Sequence, residues 1–107
     1  MIHYAVIVEG RVWLDAEAVV RRIARDNPDA ATRWFRNLVK KIESLESMPE
    51  RHPIAPESDD FPEQIRETFL GKRHNKYRIL FAIRGEAVHV LHVRHGARDA
   101  LRPDTET

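Results

Sequence analysis

Two apolar runs in the second half of the chain, separated by only two residues, constrain the fold more than any other feature. Residues 77–84 and 87–96 are together rich in Val, Ile, Leu and aromatic residues, and Gly85-Glu86 lies between them. A two-residue connection that begins with Gly predicts a β-hairpin with a type II′ turn, because that turn needs a positive φ at its first position. Counting outwards from the turn predicts these facing pairs: Arg84 with Ala87, Ile83 with Val88, Phe81 with Val90, Ile79 with His92, and Arg78 with Val93.

This register assigns each side chain to one face of the hairpin, because successive side chains in a strand point to opposite faces. The apolar face, which we expect to pack on helices, carries Tyr77, Ile79, Phe81, Ile83, Val88 and Val90. The opposite face carries Lys76, Arg78, Leu80, Ala82, His89, Leu91, Val93 and His95. Arg78 and His95 are therefore expected to be diagonal neighbours on this second face, within reach of each other.

The first half of the chain predicts a strand followed by two helices. Residues 2–8 alternate as a strand does and are followed by Gly10, and Leu14-Asp15 is expected to open the first helix with Asp15 as its cap. Asn27-Pro28 predicts the start of the second helix, with Asn27 at the N-cap and Pro28 at the first helical position.

The rest of the chain completes an α+β fold. The proline-rich residues 48–63 form a long connection, and residues 65–70 predict another strand before the hairpin. The order is β-α-α-β-β-β, and we expect a helical hairpin packed on a small antiparallel sheet. At 107 residues the chain is expected to be a single domain, residues 1–107, with a polar tail from about residue 103.

Charge is unevenly distributed along the sequence. Residues 64–102 hold nine Lys or Arg and three Asp or Glu, whereas the remainder holds nine and fourteen, so net charges of +6 and −5 combine to +1. This asymmetry predicts an anionic partner for the hairpin half, although charged side chains that protect strand edges are an alternative. The absence of cysteine favours a reducing, cytoplasmic location, and the apolar start is too short to span a membrane.

Three histidines at spacings of three lie in the second run of the hairpin: His89, His92 and His95. On a strand, His92 points away from the other two, so we expect neither a metal site nor a cofactor. His95 stands at a strand end among arginines. There it could transfer a proton while Arg78 and Arg98 neutralise a phosphate, or it could be an ordinary surface histidine.

Four segments together resemble a known family. They are Asp-Asn-Pro-Asp-Ala-Ala at 26–31, Arg-Glu-Thr-Phe at 66–69, Lys-Tyr-Arg-Ile-Leu-Phe at 76–81 and Val-Leu-His-Val-Arg-His-Gly-Ala-Arg-Asp at 90–99. In this order, across most of residues 15–101, they resemble the RelE/ParE superfamily, toxins of bacterial type II toxin–antitoxin systems that are often labelled plasmid-stabilisation proteins. The resemblance implies two helices against an antiparallel sheet.

The superfamily contains two activities. RelE-type members cut messenger RNA in the ribosome by activating the ribose 2′-hydroxyl, and ParE-type members inhibit DNA gyrase. Under the RelE-type hypothesis the resemblance implies a metal-independent endoribonuclease with Arg78, Arg98 and His95 as catalytic residues. No aromatic residue follows Arg98, which departs from the pattern of some of these nucleases. The other cations are expected to bind phosphate or the target: Arg66, Lys72, Arg73, Lys76 and Arg94.

The helical hairpin and the segment His-Gly-Ala-Arg-Asp at 95–99 are closer to ParE-type sequences, so gyrase inhibition is the main expectation. Messenger RNA cleavage is the alternative. A small RNA-binding domain is a third hypothesis, weakened because the exposed face of the sheet is expected to lack aromatic residues for stacking.

The family resemblance also implies a cognate antitoxin as partner. We expect an acidic, partly disordered antitoxin segment that folds across the helical hairpin and the basic sheet region. Because Arg78 and Arg98 are placed on a polar face or beyond the last strand, replacing either with Ala is expected to change stability by no more than about 1 kcal/mol.

Overall fold

The computed structural model describes residues 2–72 and 75–96. It confirms the predicted α+β fold and the predicted order of elements. The strands and helices are β1 (Ala5–Val8), α1 (Gly10–Ala24), α2 (Pro28–Glu43), β2 (Arg66–Leu70), β3 (Tyr77–Arg84) and β4 (Ala87–His95). Three short 3₁₀ helices between α2 and β2 cover Ser44–Glu46, Pro49–Arg51 and Pro56–Asp60. None of the helices in the described residues is long and apolar enough to cross a membrane.

The four strands form one sheet in the order β1-β4-β3-β2. Strands β2, β3 and β4 pair antiparallel, but β1 pairs parallel to β4, with Ala5 opposite Ala87 and Val8 opposite Val90. The expectation of a wholly antiparallel sheet was therefore wrong, and the sheet is mixed. Alternating hydrophobicity shows which residues share a face but carries no information about the direction in which distant strands pair.

The two helices begin differently, because α2 has a side-chain cap and the N-cap residue of α1, Glu9, makes no side-chain capping hydrogen bond. Asn27 Oδ1 accepts a hydrogen bond from the backbone N–H of Ala30 at 3.0 Å, and Pro28 occupies the first position of α2, as predicted. Helix α1 begins at Gly10 rather than at Leu14-Asp15, so the prediction that Asp15 caps it was wrong. The Asp15 carboxylate instead accepts a hydrogen bond from the backbone N–H of Val93 at 3.4 Å. It thereby occupies the edge of β4 beyond the end of β1.

Both faces of the sheet are covered. The main core lies between the sheet and the two helices and contains Leu38, Ile42, Ile79, Phe81 and Val90, among others. On the opposite face, a smaller cluster joins Ala55, Ile65, Leu80 and Ala82, with Phe61 and Leu91 packed against it. This second cluster forms because the connection before β2 folds over that face and hydrogen-bonds to the β2 segment, from Ala55 N–H to Ile65 O at 2.8 Å.

A β-bulge changes the register of the hairpin halfway along. From the turn, where Gly85 has a φ of 61°, the pairs Arg84–Ala87, Ile83–Val88 and Phe81–Val90 are as predicted. One extra residue, Leu91, then shifts the partners, so that Leu80 faces His92 and Ile79 faces Val93. Beyond the bulge the predicted faces of β4 residues 92–95 are reversed, because a one-residue shift moves each side chain of that strand to the other side, whereas the faces of β3 are as predicted.

Candidate functional site

Arg78 is the centre of a buried cluster of charges on the sheet face opposite the helices. Its Nη1 and Nη2 donate to the two carboxylate oxygens of Glu57 at 2.7 and 2.5 Å, and its Nε donates to Glu67 Oε1 at 2.8 Å. The three residues are between 8% and 9% exposed. Glu67 lies beside Arg78 in the sheet, and Glu57 comes from the connection that covers this face. Each of the three guanidinium nitrogens therefore donates a hydrogen bond to a carboxylate.

The electrostatics of this cluster follow from its geometry. The hydrogen bonds that Arg78 donates to Glu57 are the largest cause that raises its pKa. Burial opposes them, and the hydrogen bond to Glu67 raises the pKa further. Arg78 therefore stays charged, and two carboxylates surround one cation. Fork-to-fork pairs of this kind use the same geometry by which arginine binds phosphate. A phosphate oxygen would have to displace Glu57 to reach Arg78.

Other predicted cations are also engaged by groups from the acid-rich part of the sequence. Arg66 donates to the backbone carbonyls of Glu50 and His52, at 3.1 and 2.7 Å. Arg94 lies 3.6 Å from the Asp15 carboxylate, and its side chain is only 16% exposed. Arg94 thus pairs with a carboxylate that is distant in the sequence, whereas the carbonyls that bind Arg66 hold its guanidinium without neutralising its charge. The role of these residues in target binding stays a prediction.

Lys72 and Lys76 are the predicted cations that remain accessible. Within residues 2–72 and 75–96 neither forms an ion pair, and Lys76 Nζ lies 4.9 Å from the ring centroid of Phe69. Phe69 faces Arg78 across the β2–β3 pair and is 36% exposed. The sheet face therefore does carry an exposed aromatic ring, supplied by β2. Arg73 and Arg98 lie outside the described residues.

His95 does not meet Arg78. The bulge places His95 opposite Tyr77, on the face that packs against the helices, with 5.3 Å between the ring centroids. Arg78 lies opposite Arg94 on the other face, so the predicted diagonal contact between Arg78 and His95 was wrong. No group of three or more potential metal ligands occurs within the part of the chain that the structure describes.

The outer surface of the two helices carries an apolar groove that the sequence did not reveal. Trp13 and Phe35 are 41% and 40% exposed, and their rings lie 6.1 Å apart. The groove encloses about 560 Å³ and is also lined by Glu17, Val20, Ala31 and Thr32. The residue next to Phe35 on α2, Trp34, takes the inward position against Tyr77. Two consecutive large aromatic residues on one helix cannot both face the core. The pair Trp34-Phe35 in the sequence was therefore the available indication that one aromatic ring is exposed.

Comparisons with known proteins agree with this architecture. A family model described as the ParE toxin of the type II toxin–antitoxin system parDE matches residues 6–100. A solved structure described as the chromosomal ParDE TA system from P. aeruginosa has a similar fold, with a TM-score of 0.69. It is 14% identical in sequence, and the match covers 87% of this chain and 96% of that one. No curated protein matches the sequence significantly. The resemblance inferred from the sequence is confirmed: the chain belongs to the ParE toxin family and is the toxin component of a type II toxin–antitoxin system.

Proposed function

We propose that this toxin acts in the cytoplasm as a single domain and inhibits growth through DNA gyrase, the ParE-type activity. The observation that carries the proposal is the state of Arg78. In a RelE-type nuclease the corresponding arginine is expected to stabilise charge on the phosphate, whereas here each of its three nitrogens donates a hydrogen bond to Glu57 or Glu67.

The position of the proton carrier supports the same conclusion. A general base must lie within hydrogen-bonding reach of the proton that it removes, while the phosphate is held by the cation. His95 and Arg78 lie on opposite faces of the sheet, so one phosphodiester cannot contact both without a change of register in β4. Metal-independent RNA cleavage by these two residues is therefore disfavoured, and inhibition by binding requires no such assembly.

The test compares both targets directly with the purified toxin. We expect inhibition of DNA supercoiling by gyrase, or accumulation of gyrase-linked DNA breaks, at toxin concentrations that leave a ribosome-programmed messenger RNA intact. In cells, expression without the antitoxin should cause DNA breaks and filamentation. Cleavage of the ribosome-bound transcript with unimpaired supercoiling would overturn the proposal in favour of the nuclease.

The cognate antitoxin is proposed to use the apolar groove on the helices. An acidic, partly disordered segment that folds on binding needs apolar anchors for affinity and carboxylates that match nearby cations for rapid encounter. The groove offers exposed apolar rings at Trp13 and Phe35, and the exposed Arg33 and Arg36 follow the groove-lining residues of α2. Arg78, which was expected to attract the antitoxin, is buried by its own carboxylates, whereas Lys72 remains exposed.

This surface is tested by titrating the antitoxin onto variants of the toxin. Trp13→Ala and Phe35→Ala should each weaken binding about 10- to 100-fold, as central aromatic anchors do. Ile54→Ala, a matched change at an exposed apolar residue away from the groove, should leave affinity within about twofold. Equal affinity for all three variants would exclude the groove. An association rate that does not change between low and high salt would exclude the electrostatic part.

A further inference from the structure

A second cleft lies where the tip of the helical hairpin meets the end of the sheet, and we refer to it as the tip cleft. It encloses about 690 Å³, within the range of small-molecule sites. Residues from the end of α1, the start of α2 and the ends of β3 and β4 line it: Arg22, Ile23, Asp26, Asn27, Ala30, Trp34, Asn75, Tyr77 and His95. This cleft is formed by different residues from those of the outer groove and lies on the helix side of the sheet, away from the Arg78 cluster.

Three aromatic rings form one wall of the tip cleft. The Trp34 and Tyr77 rings meet edge to face with centroids 5.2 Å apart, and the Tyr77 and His95 rings do so at 5.3 Å. Such a chain of rings holds each member in a fixed orientation. The indole Nε1 of Trp34 is buried and has no hydrogen-bond partner among the described residues. Unsatisfied buried donors are uncommon, so this wall contains a polar group with unused bonding capacity.

A cation is positioned at the rim of the same wall. Arg22 Nη2 donates to the hydroxyl of Tyr77 at 2.5 Å, and within the described residues Arg22 has no carboxylate partner. A guanidinium carries five N–H donors, so most of its capacity remains for an anion. Arg22 differs in this respect from Arg78, Arg84 and Arg94, which are all paired with carboxylates.

We propose that the tip cleft binds a small anion that carries a planar ring, of the nucleoside monophosphate class. The ring would lie against the wall of Trp34, Tyr77 and His95, and the phosphate would bind the free donors of Arg22. Asn27, Asn75 and Asp26 supply hydrogen-bonding groups for the polar edge of a base. Stacking on aromatic rings and pairing with arginine are the two interactions by which proteins hold single nucleotides. The inference is independent of the gyrase proposal, because it concerns ligand binding by the toxin alone.

Tryptophan fluorescence provides a direct assay, because the chain has only two tryptophans. The variant Trp13→Phe leaves Trp34, in the wall of the tip cleft, as the single reporter. In this background AMP and GMP should change the emission with a Kd between about 10 µM and 1 mM, and calorimetry on the unmodified toxin should give the same Kd. Inorganic phosphate and adenosine, tested separately, should each bind at least about tenfold more weakly than AMP, since each supplies only one of the two interactions.

Two variants assign the binding to the tip cleft. Arg22→Gln should weaken AMP binding at least about tenfold, because a charged hydrogen-bond donor to the phosphate is lost. Arg25→Gln removes an exposed arginine at the same helix end that does not line the cleft, and it should leave binding within about twofold. The urea midpoint of each variant shows that it is folded.

Three outcomes would overturn the inference. They are the absence of binding by AMP and GMP up to about 5 mM, equal binding of AMP and phosphate, or unchanged AMP affinity in Arg22→Gln. None of these outcomes bears on gyrase inhibition.

Discussion

The buried cluster around Arg78 predicts that a single substitution on the sheet will severely destabilise the toxin. Replacing Arg78 with Ala removes three hydrogen bonds and leaves Glu57 and Glu67 facing each other with side chains only 9% and 10% exposed. Removing one partner from a buried ion pair costs about 3–5 kcal/mol, mainly because the remaining charge is uncompensated. We therefore expect a loss of about 4 kcal/mol, against a total stability of about 5–15 kcal/mol for a domain. The sequence-based expectation of about 1 kcal/mol at most is replaced by this value.

Urea unfolding, followed by circular dichroism, measures this loss. With a slope of about 1.5 kcal/mol/M, a loss of about 4 kcal/mol lowers the midpoint by roughly 2.7 M. Arg84→Ala is the matched control, because Arg84 lies on the same strand and pairs with Glu63, but their side chains are 44% and 36% exposed. It should cost less than about 1 kcal/mol. Equal midpoints for Arg78→Ala and Arg84→Ala would refute the reasoning.

A combination of substitutions distinguishes two causes of this loss: the lost attraction between Arg78 and the carboxylates, and the cost of leaving the carboxylates buried without a cation. If the carboxylates left behind cause most of the loss, Arg78→Met combined with Glu57→Gln and Glu67→Gln should be more stable than Arg78→Met alone. If the triple variant is less stable, the attraction itself dominates. The stability of these variants also has to be known before their growth assays are interpreted. Loss of toxicity in Arg78→Ala is evidence of catalysis only where the variant is shown to be folded under the conditions of the assay.

Two further predictions follow from local contacts. Asn27→Ala removes the cap that Asn27 provides to the N–H of Ala30 and should lower the unfolding free energy by about 1 kcal/mol, measured by urea unfolding. An unchanged midpoint would mean that the cap contributes nothing. Burial lowers the pKa of His52 below its ordinary value of 6.5, so the unfolded chain takes up this proton first as the pH falls. The toxin should lose stability below about pH 6.5, and His52→Gln should reduce that dependence; an identical pH profile in the variant would contradict it.

The turn and the proximal half of the hairpin could be predicted because their signals are local. Gly85 in the turn fixed the pairing as far as Phe81 and Val90, and the structure agrees to that point. The bulge at Leu91 had no such signal, since no glycine or proline marks it within the strand. The bulge aligns Val93 with the core and is favoured by packing against the helices. Tertiary packing therefore decided the face of every residue after Leu91.

The pairing of charges between distant parts of the chain also could not be predicted from the sequence. Counting residues correctly separates a basic second half from an acidic first half, but it does not show that the chain folds these halves against each other. Glu57, Glu63 and Asp15 each lie far along the chain from the arginine that they approach. The sequence consequently predicted the cations of the sheet, but not the carboxylates that pair with Arg78 and Arg94. Long-range contacts of this kind are not encoded in any local pattern.

The parallel pairing of β1 with β4 has a consequence for the synthesis of the toxin. Ala5 lies in the first strand along the chain, and its sheet neighbour Ala87 begins the last strand, so the residues between them must be synthesised before the two strands can pair. The two helices can form while translation continues, but they have no complete sheet to pack against until β3 and β4 have left the ribosome. Domains generally fold as units during synthesis, and contacts between distant segments form late. A chain whose translation stops before the last strand therefore cannot fold into the toxin. Activity is expected only after β4 has been synthesised.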